Sequence, residues 1–279
     1  PVLTWNVSVP KRFKNRFPCV SDYLGKWTEE NAEGIILLQE IQEVTAGQLQ
    51  EELGMQCRWS PYQRDCEKKN WCSGLMICAP EGWTFSRTHH RALSEAQLYG
   101  FLQTELRSDS FPTFNVMNVH LESLWKTSLQ HGSVEDRNEF TWRHFARNPG
   151  SLWNTLEANA YTQRHQIAEL YDVLEDLRDP VLLVGDFNSS SSMWMHRRLR
   201  RSFPSMARRS QVDGLRDAHR EAGLGFGSSA ARKGLSFRID NLYAQPPLAW
   251  SGPTRVRRET GCSDHWPIEA WLSMEDSAP

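Results

Sequence analysis

No stretch of this chain approaches the ~18 consecutive apolar residues that a membrane-spanning helix needs, so the sequence holds no such helix. It also has no recognisable export leader. It starts at Pro1 and runs almost at once into an apolar segment. That reads as a trimmed N-terminus from which a leader or anchor has been removed, and location stays open. A large net charge is missing too: the formal value is −2. Nothing global therefore marks the chain for nucleic acid or membrane, and any basic surface must be local. Internal repeats, low-complexity linkers and composition breaks are absent as well, so one domain over residues 1–279 is expected. The cysteines (Cys19, Cys57, Cys66, Cys72, Cys78, Cys262) match no CxxC zinc or redox spacing. Free, mostly buried thiols are the default expectation. A Cys57–Cys78 bridge across a hairpin is the alternative if the protein is exported.

What is present is ample for a sizeable core: 279 residues, 39% of them hydrophobic. The 12 tryptophans include several in polar surroundings, a hint of stacking or lipid-facing surfaces. The apolar runs Val2 to Val7, Gly34 to Glu40, Thr113 to Leu121 and Pro180 to Gly185 have strand length and read as buried strands. Met55 to Ser60 and Ser73 to Ala79 read as strands around a polar turn, and Leu98 to Leu106 as the antiparallel partner of Thr113 to Leu121. Leu235 to Tyr243 and His265 to Leu272 are the last strands expected. Helices are expected over Pro18 to Asn31, Thr45 to Leu53 with Thr45 as N-cap, Ala160 to Leu177, and Ser192 to Arg201. Lys126 to Ala158 has no clear pattern and reads as an insertion, longer than an ordinary connection. Strands outnumber helices, and the connections suit antiparallel or mixed pairing. That favours an α+β class: a sandwich of two sheets with helices outside.

The strand ends carry the chemistry. Asn6, Glu40, His120, Asp186, Asn188, Asp240, Asp264 and His265 lie at or beside the ends of apolar runs. Burying ionisable groups without partners is costly. Carboxylates converging on one rim repel unless a divalent cation lies among them. Amides and histidines alongside suit an anionic oxygen ligand, so the set reads as a metal-plus-phosphate site.

Thr4-Trp-Asn6, Leu38-Gln-Glu40, Asn118-Val-His120-Leu, Gly185-Asp-Phe-Asn188, Arg238-Ile-Asp240 and Ser263-Asp-His265 resemble, in this order, the motifs of the endonuclease/exonuclease/phosphatase (DNase I-like) superfamily of metal-dependent phosphoesterases. The His120 and Ser263-Asp-His-Trp266 segments look somewhat like the tyrosyl-DNA phosphodiesterase branch. The resemblance implies a four-layer α/β-β/α sandwich of two mixed, mostly antiparallel sheets. It also implies Mg²⁺, with Mn²⁺ as substitute, held by Glu40, Asn6 and Asp264. Asp186 would orient or deprotonate the attacking water, and Asn188 would donate to a phosphate oxygen. His265, oriented by Asp240, and His120 would contact the phosphoryl group. One departure is Ser8, where many DNA-repair nucleases of the superfamily carry an acid.

Substrate contacts are expected from Arg164, from Trp142 in the insertion, and from Arg197 and Arg198 in the basic run after the Asp186 loop. DNA is the favoured substrate. A phospholipid or inositol phosphate is the alternative, and no obligate protein partner is evident.

Overall fold

The computed structural model describes residues 1–7, 16–62, 72–93, 99–123, 149–189, 214–223, 227–232 and 235–275. Two six-stranded sheets dominate. The first runs, edge to edge, Arg255–Val256 (β14), Ile268–Ala270 (β15), Val2–Asn6 (β1), Ile35–Gln42 (β2), Ser73–Ala79 (β4) and Gln56–Pro61 (β3). The second runs Thr84–Ala92 (β5), Gly100–Arg107 (β6), Phe114–His120 (β7), Val181–Asp186 (β8), Asp240–Ala244 (β12) and Arg216–Asp217 (β9). Two small ribbons pair Ala230–Arg232 (β10) with Leu235–Phe237 (β11), and Leu248–Trp250 (β13) with Leu272–Met274 (β16). Among the described residues the α-helices are Phe17–Glu30 (α1), Glu43–Leu53 (α2), Pro149–Asp176 (α3) and Ala218–Ala222 (α4).

Side-chain alternation along each strand sorts the apolar residues into layers. Val2, Ile35, Leu37, Leu75 and Ile77 of the first sheet meet Leu102, Val116, Leu182, Val184 and Leu242 of the second. The opposite face of the first sheet (Leu3, Trp5, Ile36, Leu38) takes Val20, Leu24 and Trp27 of α1 and Leu49 of α2. The outer face of the second (Met117, Val119, Leu183, Tyr243) takes Ile167, Leu170, Tyr171 and Leu174 of α3. The result is the expected four-layer sandwich.

Strand direction places the polar ends. The β1–β2 and β7–β8 pairs are parallel. Their C-terminal ends therefore lie side by side, and His120 is the register partner of Asp186. Strand β12 runs antiparallel to β8, so its first residue, Asp240, also faces Asp186. One layer beneath, a polar tie joins the sheets. Gln39 Nε2 donates to Asn118 Oδ1 (2.7 Å) and Thr4 Oγ1 (3.1 Å). Asn118 Nδ2 donates to the Leu38 and Met76 carbonyls (2.8 and 2.9 Å). All three side chains are buried, so water does not compete for these bonds.

Several local expectations are corrected. Helix α2 begins at Glu43 with Gln42 in the N-cap position. Thr45 lies inside its first turn, where its hydroxyl donates back to the Gln42 carbonyl (2.8 Å). Helix α3 begins at Pro149, not Ala160, and so takes in the end of the patternless stretch. The run Leu235 to Tyr243 splits into β11 and β12 around Arg238 and Ile239, and His265 to Leu272 likewise yields two short strands. Strand β5 was not expected. Its residues are nearly all exposed and show no apolar alternation, and it forms by pairing to β6. The Ser192 to Arg201 helix lies outside the described residues.

The default of free thiols is overturned, and the alternative bridge across the hairpin is the one that forms. Cys57 and Cys78 face each other across β3 and β4 and form a disulfide, with Cα atoms 4.1 Å apart. Cys19 of α1 is bonded to Cys262 across 243 residues of sequence. Cys72 is disulfide-bonded as well, and no described cysteine is free. The free-thiol default failed because bridges follow spatial proximity, which motif spacing does not report.

Candidate active site

Four strand ends, a bulge within β2, the turn after β8 and one loop build the site. Asn6 ends β1, and its Nδ2 donates to Asp186 Oδ2 (2.9 Å) and to Glu40 Oε1 (3.4 Å). Glu40 is the extra residue of a β-bulge in β2, where pairing to β4 slips between Gln39 and Ile41. Its φ of 59° is left-handed, which is costly for a residue with a side chain. Its backbone N–H donates to the Tyr62 hydroxyl (2.8 Å).

Asp186 ends β8. The glycine before it has φ of 141°, and a Cβ there would lie 2.0 Å from the Val119 carbonyl oxygen, so only glycine fits. Asp186 Oδ1 accepts the Asn188 backbone N–H (2.7 Å), which settles a turn with Asn188 at φ 50°. Asn188 Nδ2 donates to the Leu121 carbonyl (2.9 Å), committing one of its two N–H bonds to the protein. Helix α3 braces the same turn: Gln163 Nε2 donates to the carbonyls of Glu122, Phe187 and Asn188.

His265 sits on the loop before β15. Its Nδ1 bonds Asp240 Oδ2 (2.9 Å), and its Nε2 lies 3.9 Å from Asp186 Oδ2. The loop is pinned by Trp5 Nε1, which donates to the His265 carbonyl (3.0 Å), and by the Ser263 hydroxyl, which donates to the Asn6 carbonyl (2.9 Å). Ser229 Oγ accepts the backbone N–H groups of Ile239 and Asp240 and so fixes the carboxylate that orients the histidine.

The two histidines have opposite charge preferences. Burial alone lowers the pKa of His265, but the negative charges of Asp240 and Asp186 outweigh it and raise it to about 10. His265 is thus an imidazolium at neutral pH. For His120, burial dominates over the pull of Asp186 and Glu40 and lowers the pKa, so this imidazole is neutral. Its Nε2 lies 3.5 Å from Asp186 Oδ2 and 3.8 Å from Glu40 Oε1. Asp186 is raised above the ordinary carboxylate value, first by burial and then by the charge of Asp240.

Ligand atoms of Asp186, Asp240 and His265 lie within 4.8 Å of one another, a cluster able to hold a cation. Within it, however, His265 Nδ1 is committed to Asp240. The better fit for a hard cation is the Glu40 edge. The Glu40 carboxylate is partly exposed (23%), whereas Asp186 is buried with both its oxygens taken by Asn6 and Asn188.

The structure thus brings together Asn6, Glu40, His120, Asp186, Asn188, Asp240 and His265. Asp264 is exposed on the loop, touching the Ser263 hydroxyl, and adds negative charge beside His265. Arg164 is exposed on α3, next to the bracing Gln163. Trp142, Arg197, Arg198 and Ser8 lie outside the described residues. The sequence reading missed Tyr62, Tyr99, Gln163 and Ser229, since none of them stands in a motif.

The sequence matches the Endonuclease/Exonuclease/phosphatase family over residues 3–265. No curated protein matches it. Among solved structures, a functionally unknown conserved protein from Enterococcus faecalis V583 is similar at 17% identity and TM-score 0.66, over 98% of this chain and 99% of that one. The human Nocturnin catalytic domain with bound sulfate anion is similar at 14% identity and TM-score 0.65, over 98% and 93%. Truncated Caenorhabditis elegans TDP2 follows at 15% identity and TM-score 0.61, over 96% and 95%. At these identities the likeness speaks for the fold alone. The family match, covering nearly the whole chain and each of the strand-end motifs, is what identifies it: this chain belongs to the endonuclease/exonuclease/phosphatase family, hydrolases that act on phosphate esters.

Proposed function

We propose that this protein is a Mg²⁺-dependent phosphodiesterase that cleaves nucleic acid, with DNA the favoured substrate, by in-line attack of water on phosphorus. The observation that carries the reading is the pairing of a charged His265 with a buried, hydrogen-bonded Asp186 whose Oδ2 lies 3.9 Å from it. The imidazolium meets the charge that builds on the phosphoryl oxygens, a term that grows in the transition state. Asp186, held by Asn6 and Asn188, orients the attacking water and takes its proton. His120 offers a neutral N–H to a phosphoryl oxygen. Glu40 and Asn6 would hold the cation, with Asp264 at its edge. When bound, it neutralises the phosphate and the leaving oxygen. No covalent enzyme intermediate is required.

The basic run that contains Arg197 and Arg198 supports the nucleic-acid reading. Arg164 and Trp142 are the further substrate contacts proposed. The disulfides add a compartment: bridges persist in oxidising surroundings, so the enzyme works outside the reducing cytosol.

The test is a screen of plasmid DNA, single-stranded DNA, RNA, a 5′-tyrosyl oligonucleotide, sphingomyelin vesicles and inositol phosphates. Each is run with Mg²⁺, with Mn²⁺ and with chelator. We expect metal-dependent DNA cleavage that falls to the chelated level in Glu40→Ala. Activity confined to vesicles or inositol phosphates would overturn the substrate.

The pH profile of kcat/KM follows from the same charges. Asp186 must be ionised, and its raised pKa puts the acid limb above the usual carboxylate value of ~3.9. His265 must be protonated, so activity is held through neutral pH and is lost as pH rises through about 10. The stability carried by the charged His265 has the same sign. It is complete below the unfolded value of ~6.5 and lost as pH passes the folded one. In Asp240→Asn the alkaline limb should move to lower pH. An unmoved limb would remove Asp240 as the charge that sustains His265.

A further inference from the structure

The residues that touch His120 form a second, unassigned arrangement behind it. Tyr62 follows β3 and stands in none of the motifs. Its hydroxyl lies 2.8 Å from His120 Nδ1 and 2.8 Å from the Glu40 backbone nitrogen. Tyr99 packs against both rings: its centroid is 4.4 Å from that of His120 and 5.6 Å from that of Tyr62. His120 is 1% exposed, and Tyr62 and Tyr99 are each 7% exposed, so water cannot replace these contacts.

We propose that Tyr62 is a positioning residue for the hydrolysis, acting through His120 and Glu40: its hydroxyl holds the Glu40 bulge and fixes His120 as the tautomer with hydrogen on Nε2. The assignment follows from counting hydrogens. A phenol has one hydrogen to donate. The Glu40 backbone N–H donates to the Tyr62 oxygen, so the phenol's own hydrogen must go elsewhere. Among the described residues its available acceptor is His120 Nδ1, which must then carry a lone pair. In the opposite tautomer, Nδ1–H would also point at the phenol oxygen. The phenol hydrogen would be left buried without an acceptor, which costs about 1–3 kcal/mol. It would also turn the Nε2 lone pair toward Asp186 Oδ2 and Glu40 Oε1, three acceptors facing one another. A doubly protonated imidazole meets the same objection, since its Nδ1–H would also face the phenol oxygen.

Two consequences for the site follow. Nε2–H faces Asp186 Oδ2 (3.5 Å), the same oxygen that His265 Nε2 approaches (3.9 Å), which sets it at the phosphoryl contact proposed above. The left-handed Glu40, unfavourable in isolation, gains a buried hydrogen bond at the very peptide that carries the strain. One tyrosine therefore couples a phosphate contact to the cation-facing carboxylate. This rests on the hydrolytic reading of the site, but not on any choice of substrate.

The test is long-range ¹H–¹⁵N NMR on histidine-labelled protein without substrate, with His120 assigned by the signals missing in His120→Gln. We expect Nδ1 of His120 to show the shift of an unprotonated, hydrogen-bonded nitrogen, with hydrogen on Nε2. In Tyr62→Phe the rings still pack, the Nδ1 signal should move toward that of a nitrogen without a donor, and the His265 signals should stay. With bis(p-nitrophenyl) phosphate and Mg²⁺, the same variant should lose about 10–100-fold in kcat with little change in KM, the usual size for loss of an orienting partner. A proton on Nδ1 in the wild-type protein overturns the proposal, and that measurement needs no variant to fold. So does a Tyr62→Phe protein with wild-type His120 signals and kcat. Because the tautomer is read without substrate, failure of the DNA reading would leave this result standing.

Discussion

Asp186→Asn should lower kcat/KM for phosphodiester hydrolysis by about 10²–10⁴-fold, the range for loss of a general base. The carboxylate has two jobs that an amide cannot combine. Its oxygens accept from Asn6 Nδ2 and from the Asn188 backbone N–H. An asparagine has one oxygen, so one of these donors would face an NH₂ group. The turn that presents Asn188 would then lose a bond or the side chain would rotate away from Asn6. The amide also cannot take a proton from water near neutral pH. Thermal unfolding separates the chemistry from the fold. A modest drop in Tm with activity nearly gone is the expected pair. Near-wild-type turnover by a folded Asp186→Asn protein would remove Asp186 from the reaction.

The second large effect is on stability. Replacing Cys19 and Cys262 together by serine opens a loop of 243 residues. In the loop-entropy account that bridge contributes about 5 kcal/mol, against about 3 kcal/mol for the 21-residue loop closed by Cys57 and Cys78. The urea midpoint of the Cys19/Cys262 double variant should therefore fall further than that of the Cys57/Cys78 one. The long bridge also ties α1 to the segment that leads into Ser263 and His265. Trp5 and Ser263 still pin that segment by hydrogen bonds, so the variant should retain activity at low temperature, where it remains folded. Equal urea midpoints for the two variants would show that loop length does not set the difference. Loss of activity in protein that is still folded would show that the bridge, and not the hydrogen bonds, holds His265.

Much of the site was legible because its chemistry is written at strand ends. An apolar run that stops at Gly185-Asp186 or at Asn118-Val-His120 states its own direction: the run is buried, and the polar residue marks the rim. Helix α1 was visible for a similar local reason, its buried Val20, Leu24 and Trp27 recurring at helical spacing. The failures were failures of locality. Strand β5 has no apolar pattern and exists through its neighbour. Thr45 looked like a cap, yet the bulge at Glu40 carries β2 on to Gln42 and the helix starts directly behind it.

The sequence by itself determined the family and the two-sheet sandwich, and it named Asn6, Glu40, His120, Asp186, Asn188, Asp240 and His265, which the fold brings to one rim. Each of those rests on patterns a few residues long, and short patterns survive without coordinates. Only the tertiary structure decided how those residues are partnered. Asn6 meets Asp186 across 180 residues, Cys19 meets Cys262 across 243, and Tyr62 meets His120 across 58. Protonation states and tautomers depend on such partners at distances near 3 Å, and sheet pairing alone sets those distances. That is why Glu40 and Asp186 could be named as site residues from their motifs, while the phenol that orients the chemistry between them could not.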